Sequence, residues 1–184
     1  MKMLTDGWEK NVLEFWFTEL TPDQWYRRDD RLDETIAGRF GALHEAVAAT
    51  DNDKLLATPR TALAAIIVLD QFSRNMFRGS PKSFATDAKA RAIANAVLDA
   101  GGDEGMSDDE KQFLYMPFMH SETLADQDRS VALFATLGRA ESLKYAKAHR
   151  GPIKAFGQFP HRNAVLGRPT SPAEMAWIEE HGGF

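Results

Sequence analysis

The chain has 184 residues, no cysteine and a formal net charge of −5. That length makes one domain, at most two small ones, and buries roughly 70% of the unfolded surface without covalent staples. The missing cysteines exclude disulfides, thiolate metal sites and cysteine nucleophiles and fit a reducing, cytoplasmic setting, while the acidic balance and scattered Lys and Arg argue against nucleic acid.

The opening MKMLTDGWEKN lacks the apolar run of a signal peptide. No stretch reaches the ~18 apolar residues of a membrane span. Asp6-Gly7-Trp8-Glu9 reads as a capped helix start, with the helix continuing through Val12, Phe15 and Trp16. Phe15-Trp16-Phe17 reads as aromatic core. Thr21-Pro22 begins a loop from which Trp25 and Tyr26 fold back. A second helix runs from Asp30 to Thr50, with Leu32, Ile36, Phe40, Leu43 and Val47 at helical spacing. His44, beside Leu43, is expected at the surface. Leu55-Leu56 forms a short turn.

Pro59 opens the central helix, PRTALAAIIVLDQFSRNMFRG, which runs to Gly79. Ala62 to Leu69 is apolar on every side, the mark of a helix packed all round. Its second half turns polar in register: Asp70 with Arg74, and Gln71 with Asn75, lie four apart on one face. A fourth helix covers Phe84 to Ala100. Ser107-Asp108-Asp109-Glu110 is a capping box that launches a fifth helix. Pro117 is expected to kink it and so to direct His120, Ser121 and Glu122. Asp126 is expected to cap one long helix through Phe134 and Ala146, ending near His149 and stopped by Gly151-Pro152. Ile153 to Phe156 forms one turn, and Gly157 to Arg168 an ordered loop. Ser171-Pro172-Ala173-Glu174 starts the last helix. Helix punctuation recurs and strand alternation is absent, so the expected fold is all-α. It is a single helical domain over 1–184 of about seven helices in antiparallel hairpins, without a regular repeat.

Four motifs in order resemble one bacterial family, catalogued as domain of unknown function 924: VLDQFSRNMFRG at 68–79, FATDAKA at 84–90, FLYMPFMHSETLADQDRSVALF at 113–134 and FGQFPHRNAVLGR at 156–168. VLEFWF at 12–17 and the Trp25-Tyr26 pair match too. Ser73 stands where the family's proline is expected, and Gln158 where a basic residue is common. The resemblance implies a tetratricopeptide-like helical fold and no activity.

The residues themselves point to a site of modest chemistry. Asp70, Arg74 and Arg78 fit either a carboxylate- or phosphate-orienting fork or an internal ion pair. His120 is a candidate general base. Ser121 lacks the elbow of a serine nucleophile. His120, Glu122, His149 and His161 show no compact metal-ligand spacing, so neither a metal nor a cofactor is expected. Asp126, Gln127 and Asp128 read as an acidic first helical turn. Pro160-His161-Arg162-Asn163 and Arg168 place cations on an ordered loop. The expected site is one polar cleft. Asp70, Gln71, Arg74, Glu122, Arg162 and Arg168 bind a small anionic ligand there, and His120 or His161 moves any proton. The rival expectation is a peptide-binding adaptor without catalysis.

Overall fold

The structure is a computed structural model that describes residues 4–184, and the reading that no leader is present extends to residues 1–3, outside that range. The chain is 75% helical, and no strand occurs among the described residues. The described residues form eleven helices, nine of them of seven residues or more, rather than about seven. They are α1 (Trp8–Glu14 continuing as π-helical Phe15–Glu19), α2 (Pro22–Tyr26), α3 (Asp30–Ala49), α4 (Asn52–Leu55) and α5 (Pro59–Ile66, π-helical Ile67–Phe72, then Ser73–Met76). After these come α6 (Asp87–Asp99), α7 (Asp108–Met119), α8 (Leu124–Thr136), α9 (Ala140–Phe156), α10 (Pro160–Arg162 with Asn163–Leu166) and α11 (Pro172–His181). The described residues up to Arg78, with Lys82–Met106, form one compact unit, and Gly79–Pro81 with Ser107–Phe184 form a second.

The first unit is organised around α5. Every residue from Ala62 to Leu69 is fully buried, as an all-apolar helix requires. α1, α3 and α6 pack on it. Phe72 is the centre of an aromatic core, with ring centroids 4.8 Å from Phe40, 5.9 Å from Phe15 and 5.7 Å from Trp16. Trp25 folds back as expected: its indole N–H donates to the Trp16 carbonyl at 2.7 Å, while Tyr26 stays exposed.

Three local readings change here. Gly7, not Asp6, precedes α1, and no side chain caps that helix. Phe84 belongs to a short 3-10 turn before α6. His44 is buried rather than at the surface. The Ser73 hydroxyl donates to the Leu69 carbonyl at 2.7 Å, so its oxygen accepts from His44 Nε2 at 2.7 Å. Period alone misplaced His44, because a helix lying between neighbours buries more than one stripe.

In the second unit α7, α8 and α9 pack in succession. The Ser107 capping box forms as read, and α7 continues past Pro117 to Met119. The expected long helix from Asp126 is two helices. α8 ends at Thr136, and Gly138 takes φ 65°, a conformation costly for residues with a Cβ, before α9 begins. α9 then runs through Gly151-Pro152 to Phe156 instead of stopping there. A proline near a helix end loses one hydrogen bond, and Pro152 is buried among neighbours that hold the helix regardless. The expected loop from Gly157 to Arg168 contains α10.

Candidate functional site

The residues expected at the site fall into two sets, one in each unit. In the first unit Asp70 is fully buried. It accepts from Gln71 Nε2 at 2.7 Å and from Arg74 at 3.1 Å. Arg74 also grips Asp87 on α6 with two bonds, at 2.9 and 3.0 Å, and donates to the Asp70 carbonyl at 3.0 Å. Burial works against the Arg74 cation, but Asp70 and Asp87 outweigh it and hold its pKa above the ordinary value. Below them, Asp33 on α3 accepts from Asn75 at 2.7 Å and from Arg78 at 2.8 and 3.0 Å. These charges are matched and tie α5 to α3 and α6. Asp33 and Asp87 went unsingled in the sequence, since their partners lie 42 and 13 residues away.

In the second unit the C-terminal end of α7 carries His120, Ser121 and Glu122. Gln127 on α8 fixes that end: it is fully buried, and its Nε2 donates to the carbonyls of Met119 at 2.7 Å and Ser121 at 2.8 Å. Gln127 lies near the start of α8, as read from its acidic neighbours, and the carbonyls left over at the end of α7 need such a donor. Ser121 donates to Asp126 at 2.6 Å and accepts from the Thr123 N–H at 3.3 Å, as a hydroxyl before a helix start does. Glu122 accepts from the Phe159 N–H at 2.8 Å and from both arms of Arg168 at 2.8 and 2.9 Å. Burial raises the Glu122 carboxyl, but the bonds from Arg168 and Phe159 and the charge of Arg162 bring it below its ordinary range. Arg168 also donates to Phe159 O and to Asn163, so it anchors the α10 region to α7.

Around this anchor the imidazoles gather. His149 on α9 is buried, with ring centroids 6.1 Å from His120 and 5.9 Å from Phe159. Phe159 lies 5.5 Å from the His161 ring, and the Arg162 guanidinium sits 4.4 Å over the Phe159 ring. Burial, then the like charges of His120, Arg162 and His161, push His149 down to about 3, against a stabilising bond to the Tyr145 carbonyl. That carbonyl, 2.8 Å from Nδ1, assigns the proton to Nδ1, while burial leaves His149 neutral near pH 7. Among the described residues no group of three His, Asp or Glu side chains is placed to hold a metal ion. No helix is long and apolar enough to cross a membrane among the described residues.

Comparison with other proteins agrees on the fold and is silent on chemistry. No curated protein matches the sequence. A solved structure of a protein of unknown function from Agrobacterium tumefaciens, ATU0120, is 37% identical and superposes with a TM-score of 0.88, covering 94% of this chain and 97% of that one. The profile of the bacterial proteins of unknown function DUF924 matches residues 12–182. With a match of that length, the chain belongs to the DUF924 family.

Proposed function

We propose that the second unit binds a small anion, a carboxylate or a phosphate, at His120, His149, His161 and Arg162. The observation that carries this reading is a linked cluster: His149, His161 and the Arg162 guanidinium lie around the Phe159 ring, and His120 lies 6.1 Å from His149. The nearby acid Glu122 is already held by Arg168. Groups that repel one another when charged gain from an anion placed among them. His149, held neutral, is a poor proton carrier near pH 7, which leaves any proton transfer to His120 and His161. The matched Asp70–Arg74–Asp87 set is assigned on this reading to joining helices. Successive packing of α7, α8 and α9 supports a tetratricopeptide-like architecture, and the cysteine-free sequence supports a cytoplasmic setting.

The test is an NMR titration of the imidazole resonances with phosphate and with acetate. Binding should tighten as pH falls from 8 to 6, because a bound anion favours the charged imidazoles. Arg162→Gln should weaken it about tenfold, the effect of losing one charge-assisted hydrogen bond. Unmoved resonances, or equal affinity in the variant, would end the proposal.

A further inference from the structure

We infer that this site takes an anion that carries an aromatic ring, and that Phe184 occupies the ring position as an internal, displaceable plug. The inference rests on the anion-binding reading for the charged half of the ligand only. The Phe184 ring stacks on His149 with centroids 3.8 Å apart and planes at 21°. Phe159 meets it edge-on at 6.0 Å, His161 at 5.6 Å, and Trp177 lies at 6.0 Å. A stacked face with edge-on neighbours is the geometry by which proteins hold a planar ring. Burial keeps His149 neutral near pH 7, with its Nδ1 proton on the Tyr145 carbonyl, and so it offers an uncharged face to stack on. Charge enters from the next position: the same Phe159 that meets Phe184 carries Arg162 on its ring at 4.4 Å. Phe184 and the Arg162 cation thus share Phe159 as a neighbour, an arrangement that suits an aromatic carboxylate or aryl phosphate.

Phe184 itself is loosely committed. It is 50% exposed, whereas Phe159 beneath it is fully buried. It hangs on Gly182-Gly183, and Gly182 has φ 72° and ψ −142°, a conformation open essentially to glycine. A Cβ at Gly183 would lie 3.4 Å from the His161 ring, so the segment passes close over the site. Two glycines let the ring leave without moving α11. An arriving aromatic group would exchange one stacked ring for another, while its anion makes contacts that Phe184's side chain cannot.

Three probes separate the two halves of the site: phosphate, benzyl alcohol and benzoate, each titrated into wild type and Phe184→Ala and followed by the His149 and His161 resonances. A half-exposed residue can be truncated without unfolding the helices, and circular dichroism checks this. Benzoate is expected to bind Phe184→Ala at least tenfold tighter than wild type, with phosphate unchanged. In wild type, benzoate should move the Phe184 ring resonances toward their unstacked positions. If phosphate binds both proteins and benzoate gains nothing from the variant, the plug is overturned and the anion site stands. If phosphate fails in both while benzoate and benzyl alcohol gain, the ring slot stands and the anion reading falls. If none binds, both fall.

Discussion

The Asp70–Arg74–Asp87 set and the His120–His149–His161–Arg162 set use similar residue types to opposite ends. In the first, each charge meets its complement: Arg74 lies between two carboxylates at 3.1 and 2.9 Å. In the second, imidazoles and a guanidinium gather around aromatic rings, and burial, then the like charges of His120, Arg162 and His161, drive His149 down to about 3. A buried charge that is matched joins helices, and its removal unmasks the partner. A cluster of imidazoles and a guanidinium around aromatic rings is the proposed seat of an anion. Burial alone does not separate the two, since Asp70 and His149 are both inside.

The largest expected effect comes from breaking the matched set. Arg74→Met leaves a fully buried carboxylate with its principal cation gone, and urea unfolding should register a loss of about 3 kcal/mol. A variant as stable as wild type would remove the distinction drawn here. Next is the support beneath the histidines: Gln127→Leu strips the donor from two carbonyls at the end of α7, for a loss of about 2 kcal/mol in the same assay. If stability is unchanged, the position of His120 does not depend on α8.

A pH series sharpens the comparison further. The folded pKa of His149, about 3, lies below its ordinary 6.5, so the unfolded chain binds the extra proton between those values. Stability is therefore complete above pH 6.5 and falls as the solution is acidified, with a slope approaching about 1.4 kcal/mol per pH unit. His44, also lowered by burial, contributes in the same direction. Glu122 and Glu174 are lowered from 4.5, so their loss begins further toward acid, and the interval between 6.5 and 4.5 isolates the histidines. His149→Asn should flatten the slope there; an unchanged slope would show that His149 is not held neutral. The smallest effect is expected at His161→Ala, a partly exposed ring, where urea unfolding should change by under about 1 kcal/mol. A loss as large as that of Arg74→Met would place His161 among the groups that hold the fold.

Local signals were legible where one residue type decides one geometry. Ser107 and Ser171 form their capping boxes, Pro59 opens α5, and the apolar run of that helix is wholly buried. Signals failed where a neighbour outvoted them. Gly151-Pro152 reads as a stop, yet α9 passes through it, and Asp126 reads as the start of a helix that Gly138 divides. At the candidate site, His120, His161 and Arg162 were visible as residue types in suggestive motifs. The buried donor role of Gln127 and the seat of Phe184 were not, because each depends on partners from other helices.

The sequence by itself determined an all-helical chain, the central buried helix and membership of a family, because periodicity, caps and long ordered motifs act within short stretches of chain. Only the tertiary structure decided which charges are matched and which imidazoles meet. His120 and His149 are separated by two helix starts and a glycine break, and nothing local to either encodes the other. Pairing across such separations is chosen by the packing of whole helices, which bring together side chains that share no sequence period.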